Sequence, residues 1–353
     1  MRRVVIAAAL AATLAVPADA AAPGGAQGDT NAKRAVAAYV AMQRYLFDTR
    51  SGAYREALRA QPGVRAWPAS QAIAATIAVS RVPGANPAFA HAVRRRLDRL
   101  EDLRSGSLYK AWAGGDVYYD DNEWIAQDLL DVGQVKKATA IFGRVVRAWD
   151  DNPSHPCAGG IVWTNAPAND DRNTVSTANG ALVGLRLYGI THRSVFLYWS
   201  RRMLDWLDNC MLAPNGLYWD HIDAHGVVDS THWTYNQGSL IGANMLLYRA
   251  TGDGQALARA EELADATLAY FAGPRLAGEP PEFAAIFFRN LLALAALDGR
   301  SGYVDAAQAY ADHVWAQRDP RTNLVSFGAP TRLLEQAAVV QVYSALATTR
   351  GVP

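Results

Sequence analysis

The chain has 353 residues, half of them hydrophobic, and a formal net charge of +1. Such a balance leaves no electrostatic footprint for nucleic acid or an anionic membrane surface, and the length is enough for a large core in one or two domains. Ten Trp and fifteen Tyr exceed the needs of a helical core and point to an aromatic-lined groove.

The N-terminal stretch, Met1 to Ala22, carries Arg2 and Arg3, an apolar run from Val4 to Val16, and small residues at Ala18, Ala20 and Ala22. It reads as a secretory signal peptide over 1–22. The run falls short of the roughly 20 residues a membrane span requires, so a secreted, extracytoplasmic protein without stable membrane insertion is expected. Residues 23–32 read as a flexible leader and 33–353 as one folded domain. Apolar residues spaced three and four apart then mark helices near 33–47, 70–81, 87–103, 122–132, 135–149, 174–190, 194–212, 236–250, 255–271, 282–298, 303–318 and 332–348, with no convincing run of strands.

Short turns such as Val132-Gly133 alternate with long links rich in Gly, Pro and aromatics, so the chain reads as six helical hairpins. The long links echo one another at Ser51-Gly52-Ala53-Tyr54, Gly106-Ser107-Leu108-Tyr109, Gly159-Gly160-Ile161-Val162-Trp163 and Asn215-Gly216-Leu217-Tyr218-Trp219. A degenerate repeat of this kind suggests a closed double ring, with all long links on one face and the helices that follow them inside. Two cysteines, Cys157 and Cys210, leave a disulfide and two free thiols equally open.

The stretch Tyr118-Tyr119-Asp120-Asp121-Asn122-Glu123-Trp124 opens the fourth helix on that face. Paired carboxylates ringed by aromatics suit glycoside cleavage, in which one carboxyl protonates the leaving oxygen and the other attacks the sugar. Helix capping is the plain alternative for acids at a helix start. Adjacent residues diverge by about 100°, and their carboxyls can meet the ~5–5.5 Å separation of a retaining pair.

Tyr119-Asp120-Asp121-Asn122-Glu123-Trp124, Gly159-Gly160-Ile161-Val162-Trp163, Ser176 with Asn179-Gly180, and Tyr235-Asn236-Gln237-Gly238 occur in this order, and with them the chain resembles glycoside hydrolase family 76, the endo-α-1,6-mannanases. The resemblance spans the mature chain and implies an all-α, (α/α)6 barrel catalytic domain. It implies retaining hydrolysis of α-1,6-linked mannan, with Asp120 as nucleophile and Asp121 as general acid/base. By the same likeness Asp220 binds sugar hydroxyls in the cleft.

Tyr235, Asn236 and Gln237 can bind sugar or cap the eighth helix. Tyr119, Trp67, Trp124 and Trp163 are further substrate-binding candidates, with core packing as the competing role. No cofactor and no metal are expected, because His155, His221, His225 and His232 lack a paired-ligand spacing. The expected partner is an α-mannan polysaccharide or oligosaccharide, met by a monomer. Phe283-Ala284-Ala285 and the Lys-free link from Trp163 to Thr174 depart from the family's pattern and bear on substrate choice. Transglycosylation of α-mannan and non-catalytic carbohydrate binding are the rival readings.

Overall fold

The structure, a computed structural model, describes residues 24–328 and 330–349. The signal-peptide stretch 1–22 lies outside the described residues. Thirteen α-helices are present among them: α1 Gly24–Leu46, α2 Ala66–Ser80, α3 Ala88–Leu100, α4 Tyr119–Asp131, α5 Val135–Val145, α6 Thr174–Thr191, α7 Ser194–Cys210, α8 Thr234–Thr251, α9 Gly254–Tyr270, α10 Pro274–Gly278, α11 Pro281–Asp298, α12 Ser301–Ala316 and α13 Leu333–Thr349. Twelve match the helices expected from periodicity, and α10 is a short addition inside one link. α1 already begins at Gly24, so the stretch 24–32 read as a leader is helical. α2 starts before Pro68 because proline is tolerated in a helix's first turn, where its missing N–H would be unpaired anyway.

Helices α2, α4, α6, α8, α11 and α13 pack in sequence and α13 returns to α2, closing an inner ring. The outer helices α1, α3, α5, α7, α9 and α12 pack against them, giving an (α/α)6 barrel. Composition explains the layering. α6, α8 and α13 are apolar or small on nearly every side because both faces are covered, while α3 and α5 carry an apolar stripe and a charged outer face. Gly238 lets α8 approach α11 closely, since a Cβ there would lie 2.5 Å from the Phe287 Cα.

The links before the inner helices hold the strands, each two or three residues long: β1 Phe47–Asp48, β2 Ala53–Arg55, β3 Pro62–Gly63, β4 Arg104–Ser105, β5 Leu108–Tyr109, β6 Arg172–Asn173, β7 His221–Ile222 and β8 Val228–Asp229. They pair antiparallel as β1-β2-β3, β4-β5 and β6-β7-β8. Strands this short escape a periodicity search, which needs several alternations.

A structural repeat ties links to ring. The fourth residue of α4, α6, α8 and α13, respectively Asn122, Thr177, Gln237 and Gln336, accepts the backbone N–H of Tyr109, Ile161, Tyr218 and Val325 at 2.7 to 3.0 Å. Each bond satisfies a buried backbone donor and fixes a link against the helix it feeds. The echo among the long links therefore has a mechanical cause. Cys157 and Cys210 form a disulfide, joining the α5–α6 link to the end of α7. Among the described residues no helix is long and apolar enough to cross a membrane.

Candidate active site

The first turns of the inner helices converge on the face that carries the links. There a cleft of about 420 Å³ is lined by Trp67 and Pro68 of α2, Asp120, Asp121 and Trp124 of α4, Tyr235 of α8, Phe283 of α11 and Leu334 of α13, with Tyr118, Trp112 and Trp163 from the links. Trp67, Asp120, Tyr235 and Leu334 are each the second residue of their helix. Equivalent positions in a ring of hairpins point at one place, which is why residues distant in sequence share a cleft.

Local structure aims the acidic pair. Tyr118, in extended backbone, precedes α4. Asn122 anchors the helix start through donations to the carbonyls of Tyr109 (2.9 Å) and Tyr118 (2.8 Å). The two neighbouring links are stitched together, with the Tyr119 N–H on the Trp163 carbonyl at 2.9 Å and the Thr164 hydroxyl on the Val117 carbonyl at 2.8 Å. Trp163 is set edge-on to Tyr118, ring centroids 4.9 Å apart, and its indole N–H donates to Asp120 Oδ2 at 3.3 Å.

The two carboxyls differ in environment. Asp120 accepts the Asp121 N–H on Oδ1 at 3.0 Å as well as the Trp163 indole on Oδ2. Burial pushes its pKa up to about 6, the charge of Asp220 adds to that rise, and the hydrogen bonds oppose it. The Asp121 carboxyl accepts no hydrogen bond among the described residues, and burial together with the Asp120 charge holds it well above the usual carboxylate range. One group is thus equipped to be an anion and the other to keep its proton.

Capping is part of Asp120's work, since it takes a free N–H of the helix's first turn, but its carboxyl also faces the cleft. Glu123, three residues on, is 1% exposed with neither carboxylate oxygen hydrogen-bonded. Burial, then the charge of Asp120, keeps it protonated far above its usual range.

Phe283 stacks on Tyr235 with centroids 4.0 Å apart and lies 5.9 Å from Trp67, giving the cleft a continuous aromatic wall. The sequence reading treated Phe283 only as the start of a variant segment. Its place near the start of an inner helix, next to Tyr235 in the register of the ring, was the available signal. Ala284 and Ala285, its neighbours, are fully buried and packed.

Asp220 sits at the edge of this group, accepting from Asn236 Nδ2 at 3.1 Å and from His221 Nδ1 at 2.9 Å. Its charge and that of Asp120 help hold the Tyr235 phenol protonated, after burial as the larger cause. The bond to Asp220 raises the His221 pKa. Asp220, His221 and Asp229 bring ligand atoms within 4.8 Å of one another, the one metal-compatible grouping among the described residues. In it the His221 imidazole already serves Asp220 as a hydrogen-bond donor.

Trp67, Trp124, Trp163 and Tyr235 therefore reach the cleft with Asp120 and Asp121, whereas four other expected sugar contacts do not line it, Asp220 at its edge being one. Gln237 is fully buried and spends its side chain on the Tyr218 N–H and carbonyl, as the ring's repeat requires. Asn236 is fully buried behind Asp220 and orients it. Tyr119 turns outward to pack against the main core.

The sequence model of a family described as glycosyl hydrolase family 76 matches residues 29–319. Among curated relatives, the mannan endo-1,6-alpha-mannosidase DCW1 of Saccharomyces cerevisiae is 32% identical over 145 residues, 38% of this chain and 31% of the relative. The chain thus aligns with about a third of that relative's length. The mannan endo-1,6-alpha-mannosidase DFG5 of the same yeast is 28% identical over 128 residues, 34% of this chain and 27% of the relative. A family 76 mannosidase from Bacteroides thetaiotaomicron superposes with a TM-score of 0.81 at 20% identity, over 90% of this chain and 98% of that one. An inactive variant of the α-1,6-mannanase of Salegentibacter sp. HEL1_6, with two consecutive aspartates replaced by asparagine and α-1,6-mannotriose bound, gives 0.77 at 20% identity, over 90% and 99%.

Proposed function

Because this chain belongs to glycosyl hydrolase family 76, we propose that it is a secreted retaining glycosidase that cleaves α-1,6-mannosidic linkages in mannan-type polysaccharide. The observation that carries this reading is the unequal pair at the start of α4: Asp120 stabilised as an anion by two N–H donors, and Asp121 without one. The inactive mannanase variant with two consecutive aspartates replaced supports placing the chemistry on this pair.

In the first step Asp120 attacks the anomeric carbon while Asp121 gives its proton to the departing glycosidic oxygen. The bond from sugar to leaving group breaks as the bond to Asp120 forms. In the second, Asp121, now ionised, takes a proton from water, whose oxygen displaces Asp120 and restores both groups. Asp220, oriented by Asn236 and His221, would bind sugar hydroxyls, and Trp67, Trp163, Tyr235 and Phe283 would cover the apolar faces of sugar rings. The whole of 33–353 would act as one catalytic domain, exported and monomeric. α13 lies beyond the family match, yet it completes the ring and lends Leu334 to the cleft.

Incubation of the purified protein with linear α-1,6-mannan, beside Asp120→Asn and Asp121→Asn, tests the reading by chromatography of the products. Oligosaccharides released only by the wild type are the expected result. Products longer than the input oligosaccharide would assign transfer to a sugar instead of water, and saturable binding without turnover would reduce the protein to a carbohydrate binder.

A further inference from the structure

At the opposite end of the barrel from the cleft, where the inner helices end, a second cavity of about 210 Å³ enters the ring. It adjoins a depression of about 350 Å³, and Ala74, Arg81, Asp131 and Arg289 line both. Arg81, Arg186 and Arg289 face this space together with Asp128 and Asp131.

The charges do not balance. Asp131 is ion-paired to Arg186 at 2.9 Å and to Arg81 at 3.3 Å. Asp128 is 3% exposed with one carboxyl oxygen unpartnered, and burial pushes it well above the usual carboxylate range, toward its neutral form. Arg289 has no carboxylate within ion-pair distance among the described residues. Its one hydrogen bond is a long one, 3.4 Å to the Gln341 Oε1. A guanidinium stays charged even when buried, so three cations face two carboxyl groups, and only Asp131 is ion-paired to any of them.

Helix ends do not make up the difference. The carboxyl ends of the inner helices supply partial negative charge, which suits Arg81 just beyond α2, whereas Arg186, the thirteenth of the eighteen residues of α6, is compensated by Asp131 instead. Arg289 is the ninth of the eighteen residues of α11, beyond the reach of an effect confined to the last turn. Buried charge without a partner is costly, and a cavity that leaves most of a guanidinium's five donors free is built to receive one.

We propose that this cavity binds a small tetrahedral oxyanion, of the phosphate or sulfate class, with Arg289 as its chief ligand and Arg81 and Arg186 beside it. Three guanidiniums on different helices match oxygens pointing in several directions better than the flat pair of a carboxylate. Trp124 separates this site from the cleft, lining both, with Arg289 5.9 Å from its ring centre. Occupancy therefore does not require the acidic pair.

The test is calorimetric titration and thermal unfolding of the whole protein with inorganic phosphate, sulfate and acetate, each against chloride at matched ionic strength. Wild type and Asp120→Asn should bind phosphate and sulfate saturably and alike. Arg289→Met should bind at least about tenfold more weakly, the loss of a charge-assisted hydrogen bond, and should be no less stable than wild type in chloride. Arg289→Lys keeps the charge without the fork and should fall between them, which preserves the comparison should the methionine variant fail to fold. Absence of saturable binding beyond chloride, equal affinity in the Arg289 variants, or acetate binding as tightly as phosphate would overturn the proposal.

Discussion

The indole N–H of Trp163 donates to Oδ2 of Asp120 across 3.3 Å, joining the link that precedes α6 to the first turn of α4. Burial raises the pKa of the proposed nucleophile, and this contact, with the Asp121 N–H, opposes that rise. Asp120, at about pKa 6, is ionised above that pH and protonated below it, while Asp121 keeps its proton to higher pH. The rate should therefore fall on the acid side near pH 6. Trp163→Phe retains the ring against Tyr118 but removes a donor that favours the anion, so the acid limb should move to higher pH and kcat/KM at pH 6 should drop about tenfold. A pH profile of kcat/KM decides it, and an unmoved acid limb would count against the role given to Trp163.

Glu123 gives a prediction about stability. Its folded pKa lies well above the unfolded value, by burial and then by the Asp120 charge. The folded chain thus holds this proton more tightly than the unfolded one. Stability from it is complete below the unfolded carboxyl pKa and is lost as pH rises through the raised folded value. Glu123→Gln keeps the shape of the neutral acid and removes that loss. Its Tm should match wild type only at about pH 4 or below and exceed it progressively as pH rises above that, as thermal unfolding against pH would reveal.

The aromatic wall should act on binding more than on chemistry. Phe283→Ala removes the partner stacked 4.0 Å from Tyr235, worth about 1 kcal/mol beyond buried area. KM for mannan oligosaccharides should rise roughly fivefold with kcat within about a factor of two. A large fall in kcat with KM unchanged would instead tie Phe283 to the reacting centre.

Two glycines should respond in opposite ways. Gly238→Ala would put a methyl 2.5 Å from the Phe287 backbone, and α8 would have to leave α11 at a cost of about 3 kcal/mol. Gly143, in the exposed face of α5, has open space around its would-be Cβ, and alanine there should stabilise by about 0.5–1 kcal/mol. Chemical denaturation of both variants provides the contrast.

Much of the barrel was legible in the chain because it rests on local rules. Period-3.6 patterns located twelve of the helices, and the alternation of short turns with long aromatic links sorted inner from outer. The acidic pair was visible for the same reason: two carboxylates at a helix start, in a run of aromatics, constitute a local signal. Gln237 and Tyr119 read as site residues because position along the chain shows which turn a side chain occupies but not the side it faces. For Gln237 the competing demand was the buried N–H of Tyr218.

The sequence by itself determined the element order, the repeat, and the acids at the head of α4, since helix formation and capping depend on residues a few positions apart. Only the tertiary structure decided that Trp163 bonds Asp120, that Phe283 lies on Tyr235, that Cys157 meets Cys210, and that Arg289 makes no ion pair among the described residues. Each of those depends on how the ring closes, which brings together side chains from separate hairpins. Closure is set by packing summed over six inner helices, and no local stretch of the chain encodes it.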